Sequence, residues 1–199
     1  MRRLLPLALA FALSACSVFH ASPPTPQTYR LAYPPLEPAY DTPVGIVRVG
    51  PFSSSQVYDR LGFVYREGTY GIGVDHYSSW IAAPDGMLAD LIARDLVTSR
   101  AASAVLQGPS AITPDYELSG RVQELDERET GGCTAHLRLR VLLVRLDVKD
   151  PRKVLFEDIF ASDQPCTPGD AASFAEAMSK AAQDVSTQVV ARVVAAVPR

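Results

Sequence analysis

The sequence predicts an α/β fold, a two-layer sandwich in which a mixed or antiparallel sheet carries two helices on one face. Three observations lead there. Apolar spacings of two and of 3.6 residues follow one another in the order strands, helix, strands, helix. Each strand-like segment has one apolar and one polar side, as in a sheet that is covered on one face and open on the other. The stretch from 44 to 199 is long enough for one domain with its own core, and it contains no repeat of fixed period.

Residues 1–15 read as a signal peptide. Arg2 and Arg3 precede an apolar run from Leu4 to Leu13, and small residues lead into Cys16. The run is shorter than the roughly 20 apolar residues that a spanning helix needs. Leu13-Ser14-Ala15-Cys16 resembles the bacterial lipobox, where cleavage before the cysteine leaves a thiol that receives diacylglycerol and an amine that is acylated in turn. Ordinary secretory cleavage nearby would leave Cys16 incidental. Two or three acyl chains give stable anchoring where one gives only marginal binding. Ser17, rather than Asp, after the cysteine resembles the outer-membrane sorting signal of proteobacterial lipoproteins. The expectation is a domain held on the outer membrane by acyl chains such as palmitate and facing the periplasm. The stretch 16–43, rich in proline, reads as lipid anchor and extended tether.

The domain, 44–199, begins with a strand at "VGIVRV" (44–49). "FVYRE" and "TYGIGVD" read as two strands joined near Glu67-Gly68. "MLADLIARDLVTSRAAS" (87–103) reads as a helix with Leu88, Leu91, Ile92 and Leu96 on one face and Asp85 as N-cap. "DYELSGRVQELD" (115–126) alternates Tyr116, Leu118, Gly120 and Val122 against polar neighbours. "TAHLRLRVLLVRLDV" (134–148) alternates Ala135, Leu137, Leu139 and Val141 against His136, Arg138 and Arg140, with a parity shift at Leu142 that predicts a bulge. "KVLFEDIFA" (153–161) is its antiparallel partner across the turn "KDPR". A last helix from Ala171 aligns Phe174, Met178, Ala182, Val185, Val189 and Val193, with Asp170 as cap.

With Cys16 assigned to the anchor, Cys133 and Cys166 remain, and an even remainder in an oxidising compartment suggests a disulfide. Register supports the pairing independently. A hairpin turning at Lys149–Arg152 pairs positions whose numbers add to about 299 to 301, as 133 and 166 do, and opposed strand residues lie ~4.5–5.5 Å apart at Cα. A metal site using Cys133 and His136 is the rival, but only His20 and His76 remain to complete it and there is no C-x-x-C.

Catalytic patterns are sparse. G-x-S-x-G, H-E-x-x-H and the phosphate-binding G-x-x-x-x-G-K-[ST] do not occur. The "GIG" at Gly71–Gly73 is half a dinucleotide fingerprint with His76 where the third glycine belongs. Asp75 and His76 are neighbours in a strand and point to opposite faces. These readings predict a protein that is not an enzyme and has no metal and no cofactor besides the acyl groups at Cys16. The formal charge of −3, falling to −5 once Arg2 and Arg3 leave with the signal, does not suggest nucleic acid. His136, Arg138 and Arg140 form either a phosphate or acidic-partner surface or a solvated face paired with Glu117, Glu124 and Glu157.

The densest aromatic stretch is Phe63 to Trp80. Together with the lipobox, "YRLAYPP" (29–35), "IVRVGPF" (46–52), "MLADLIARDL" (87–96) and "DYELSGRVQEL" (115–125), it resembles the ABC-type transport auxiliary lipoprotein family, the PqiC-like lipoproteins. The resemblance lies in the order and character of the blocks across nearly the whole mature chain. Ser79 stands before Trp80 where members often carry arginine.

The resemblance implies a small α/β lipoprotein of the outer membrane, a non-catalytic auxiliary to an inner-membrane ABC transporter and its MCE-domain protein in moving lipid between membranes. It leaves room for a homo-oligomer. On this reading Tyr65, Arg66, Tyr70, Tyr77 and Trp80 are the partner-binding candidates, because interface energy concentrates in aromatic and arginine anchors. Two other classes stay open, a lipid-binding periplasmic chaperone and a structural activator of another cell-envelope machine.

Overall fold

The computed structural model describes residues 25–146 and 153–198. The stretch read as a signal peptide, Cys16 and the turn expected at Lys149–Arg152 lie outside the described residues. The elements are β1 (Gln27–Tyr29), β2 (Val44–Val49), β3 (Ser53–Ser54), β4 (Gly62–Glu67), β5 (Gly71–Trp80), α1 (Pro84–Thr98), β6 (Ala102–Gln107), β7 (Tyr116–Arg128), β8 (Cys133–Arg145), β9 (Lys153–Cys166) and α2 (Ala171–Ala196).

The nine strands form one mixed sheet organised around β7. Along one edge of β7 three strands dock in succession, all parallel to it: β2 at Tyr116–Leu118, β3 at Arg121–Val122 and β4 at Glu127–Arg128. Its other edge carries β8 antiparallel, and β9 lies antiparallel beyond β8. Outside β2 runs β6, parallel; outside β4 runs β5, antiparallel, with β1 parallel to the end of β5. Both helices cover one face and touch each other, α1 over β3, β6 and β7, α2 over β8 and β9. The predicted two-layer α/β architecture is the one observed.

The core follows from the alternation. Ala135, Leu137, Leu139, Val141 and Leu143 of β8 are all fully buried, as are Phe174, Met178, Ala182, Val185, Val189 and Val193 of α2. Asp170 caps α2 by accepting from the backbone N–H groups of Ala172 and Ser173 at 3.0 and 3.1 Å, leaving fewer orphan donors in the first turn.

Four expectations are corrected. The helix read as 87–103 starts at Pro84 and stops at Thr98. Ser99 stops it: its Oγ and its N–H both donate to the Asp95 carbonyl, and Arg100 takes a positive φ of 59°. Ala102–Gln107 then pairs with β2, so long-range ladder bonds override a locally helical composition. Asp85 is not the cap; Ala83 holds that position with Pro84 first in the helix, and Asp85 adds a favourable negative charge to the first turn. No parity shift occurs at Leu142. The register slips instead on β9, between the Leu143 and Val144 pairs, and on β7, where Gln123 is the extra residue. That bulge lets Val122 and Leu125, of opposite parity, share the core face.

The fourth correction concerns the tether. From Gln27 the chain is part of the domain: β1 extends the sheet, Leu31 is buried, and Tyr33 reaches into the space between the helices. Asp95, 0% exposed, organises this attachment. It accepts from the Tyr33 hydroxyl at 2.8 Å, the Ser186 hydroxyl of α2 at 2.6 Å and the Arg94 guanidinium at 2.9 and 3.0 Å. Arg94 also lies over the Tyr33 ring and donates to the Tyr33 carbonyl. Burial raises the Tyr33 pKa, so the phenol stays a donor. Proline density suggested an unattached strap, but a proline-rich segment can pack if its few polar groups find partners.

Candidate functional site at the Phe63–Trp80 hairpin

The five sequence-selected residues divide. Trp80 is 1% exposed. Its ring lies 4.4 Å from Phe63 and 6.1 Å from Phe174, with Tyr29 beyond Phe63 at 5.3 Å. This aromatic group joins β1, β4, β5 and α2, so Trp80 is a core residue and not an exposed anchor. Tyr65 is half-buried across the strand pair, its ring lying over Gly73, where any Cβ would collide with it. The side of β5 left bare by Gly73 is therefore filled by a residue of its own hairpin.

Arg66 belongs to a polar cluster on the sheet face opposite the helices. Its Nε meets Asp126 at 2.9 Å and its Nη2 meets Tyr58 at 2.5 Å and Glu124 at 3.4 Å. Tyr58 donates to Asp126 at 2.6 Å, and Arg128 reaches both Glu124 and Asp126. Asp126 is 0% exposed, so the two guanidiniums and the phenol compensate a buried charge. Burial pushes the Tyr58 hydroxyl up to about 12, keeping it protonated.

The same face accounts for the other basic residues. His136 Nδ1 lies 2.6 Å from Asp163, Arg138 donates to Gln123 at 3.1 Å and Arg140 pairs with Glu157 at 3.2 Å. Each has a partner within the fold, which favours the reading of a compensated sheet face over an anion site.

Tyr70 and Tyr77 remain outside. Tyr70, at the hairpin tip, is 96% exposed; Ile72 and Tyr77 are each nearly half exposed. Beyond Val74 the hairpin departs from regular pairing, because Phe63 alone faces the four residues Asp75–Ser78 between the Val64–Val74 and Gly62–Ser79 pairs. Asp75 closes this wide bulge by accepting from the Tyr77 N–H at 2.7 Å. It is used for a turn, and Asp75 and His76 do not assemble as an acid/base pair.

The bulge forms one wall of a recess of about 360 Å³. Phe63, Tyr65 and Val74 supply its apolar surface, with Glu127, Glu129 and the Gly169–Ala171 loop opposite. Glu127 has its carboxyl held above the usual range by burial first and then by the charges of Glu129 and Asp75. Sequence reasoning did not single out Glu127 or Glu129. Four residues without aliphatic character, "DHYS", were the available sign that β5 breaks its alternation here.

Below the recess, Cys133 and Cys166 are opposed in register, 4.9 Å apart at Cα, and joined by a disulfide. Pairs from Cys133–Cys166 to Leu143–Phe156 keep the register that the hairpin arithmetic predicted. Glu127 lies beside the two sulfurs, but bridged sulfurs are not thiolates and do not form a zinc set with it.

The sequence profile of a family described as ABC-type transport auxiliary lipoprotein component matches residues 29–190. Among solved structures, the fold is similar to that of a Xanthomonas campestris protein assigned to the DUF330 family, with 22% identity and a TM-score of 0.75 over 85% of this chain and 95% of that one. It is also similar to a hypothetical protein from Chlamydia trachomatis, with 11% identity and a TM-score of 0.53 over 76% of this chain and 98% of that one. No curated protein matches.

Proposed function

The chain belongs to the family of ABC-type transport auxiliary lipoprotein components, and on that basis we propose that it is a non-catalytic, outer-membrane-anchored subunit of an intermembrane lipid transport system. Acylated at Cys16 and facing the periplasm, it meets an MCE-domain protein associated with the ABC transporter. The observation that carries this reading is the family match over nearly the whole folded domain. The export-signal-like residues 1–15 and the lipobox-like Leu13–Cys16 support that location. ATP hydrolysis belongs to another subunit; this one contributes position and contact.

The packing of Gln27–Tyr40 into the domain changes how contact is made. Ten residues, Ser17–Pro26, separate Cys16 from β1. At roughly 3.1 Å per extended residue they reach about 30 Å. The domain therefore works close to its membrane, and the partner crosses the periplasm to it.

A lipid-binding chaperone would need an apolar cavity between sheet and helices. That space is occupied by Trp80, Leu96, Leu118, Phe174 and Met178, each fully buried, which favours the contact role. Affinity capture of the full-length lipoprotein from detergent-solubilised envelope tests the proposal. An MCE-domain protein should be recovered with it; recovery of a cell-wall synthase instead would make it an activator of that machine, and stoichiometric phospholipid on the delipidated domain would make it a chaperone.

A further inference from the structure

We propose that the outer edge of β5, from Gly71 to Val74 and on to the bulge at Asp75–Ser78, is a docking edge to which an extended segment of a partner protein bearing an arginine or lysine is added as a further strand. The identity of that partner rests on the auxiliary role above; the binding mode rests on the edge itself.

The backbone directions can be worked out. Glu129 N–H donates to the Arg66 carbonyl at 3.2 Å, so Arg66 directs its main-chain groups toward β7. In a strand, N–H and C=O of one residue point the same way and alternate along the chain. Tyr65 and Glu67 therefore serve β5, where they face Gly73 and Gly71. The main-chain groups of Ile72 and Val74 then point away from β4, to a side on which no strand lies among the described residues. β1 covers only Ser78–Trp80.

Edges of this kind are ordinarily blunted by lysine or proline. Here the sequence is Gly-Ile-Gly-Val, with Tyr70 and Ile72 exposed beside it. An unpaired edge flanked by apolar side chains suits strand addition, in which main-chain bonds give affinity and alternate side chains give selection. The chain's own continuation is a poor occupant. Since β1 is parallel to β5, carrying its register backwards would first set Pro23-Pro24-Thr25-Pro26, a run with a single N–H, against Val74–Tyr77.

Charge selects the guest. Where the edge meets the recess, the lining includes Asp75, Glu127, Glu129 and Asp170 and no lysine or arginine. The nearby Arg66 is committed to Asp126 and Glu124. A cationic side chain entering from the added strand relieves the crowding of Glu127 with Glu129 and Asp75.

The test is photo-crosslinking of the full-length lipoprotein in its own envelope, with p-benzoylphenylalanine at Tyr70 or Tyr77 and the adduct peptide identified by mass spectrometry. The expected adduct is an extended segment of another protein containing Lys or Arg. Ile72→Pro removes the outward N–H while sparing the β4 ladder and should lower the yield about tenfold, whereas Ile72→Val should leave it unchanged. Should Ile72→Pro fail to fold, Glu129→Lys, at an exposed site, should also reduce the yield by opposing a cationic guest. The assignment is overturned by no adduct, by an adduct only to a second copy, or by a yield that a folded Ile72→Pro or Glu129→Lys leaves intact. A probe at Val154 on β9 separates the two ideas: capture of a transporter-associated subunit there, and not at Tyr70 or Tyr77, ends the edge proposal and keeps the auxiliary role.

Discussion

Trp80 and Tyr70 are aromatic residues of one hairpin, and their loss should have opposite effects. Trp80→Ala opens a hole among Phe63, Tyr29 and Phe174 and should cost ~3–5 kcal/mol of stability, read by denaturant unfolding. Tyr70→Ala touches little and should leave the melting temperature near wild type while weakening partner binding by ~1–2 kcal/mol in titration. Composition could not separate them, because an aromatic side chain suits a core and an interface equally well; only the register of β4 against β5 and α2 tells which side each occupies. The same limit applied to Glu127. Its pKa is raised in the folded state, so the folded protein binds the proton more tightly, and stability falls as pH rises from the ordinary carboxylate range through the raised value. Glu127→Gln should therefore raise the melting temperature at pH 7, and the advantage should vanish below the carboxylate range, where wild type is already protonated.

The β8–β9 hairpin was readable because its evidence was local: two arms of period two, a turn between them and two cysteines in matching register. Reducing the bridge, or replacing both cysteines by alanine, should lower stability by ~3–4 kcal/mol in the chain-entropy account. A double-cysteine variant that unfolds at the wild-type denaturant midpoint would show that the long ladder alone holds the arms. α2 was legible for a similar reason, with a cap and six apolar positions in phase. β6 was not. Ala102–Gln107 carries no pattern that separates it from the helix before it, and what makes it a strand is β2, whose register with it spans Val44–Val49. The bulge at Asp75–Ser78 was equally hidden, since its existence depends on how Gly62 and Val64 meet Ser79 and Val74.

Across the whole molecule, the order of elements was legible and the wiring of the sheet was not: three strands sharing one edge of β7 is a choice among parallel pairings that no local spacing records. Cys16→Ala should produce a chain without acyl groups that leaves the detergent phase in a phase-partition assay while its domain keeps the wild-type circular dichroism. On the proposed reading, a lipid anchor at one end and a partner at the other would place this domain under tension, and the attachment of its first described residues decides how it would yield. β1 lies parallel to β5, so a pull directed along β1 from the membrane loads its ladder bonds in shear, all together, where a strand peeled from one end would lose them one by one. Behind β1, the Tyr33–Asp95–Ser186 knot passes the load on to both helices at once. On that reading the segment that reads as slack would work as a shackle, fastening the domain to its mooring.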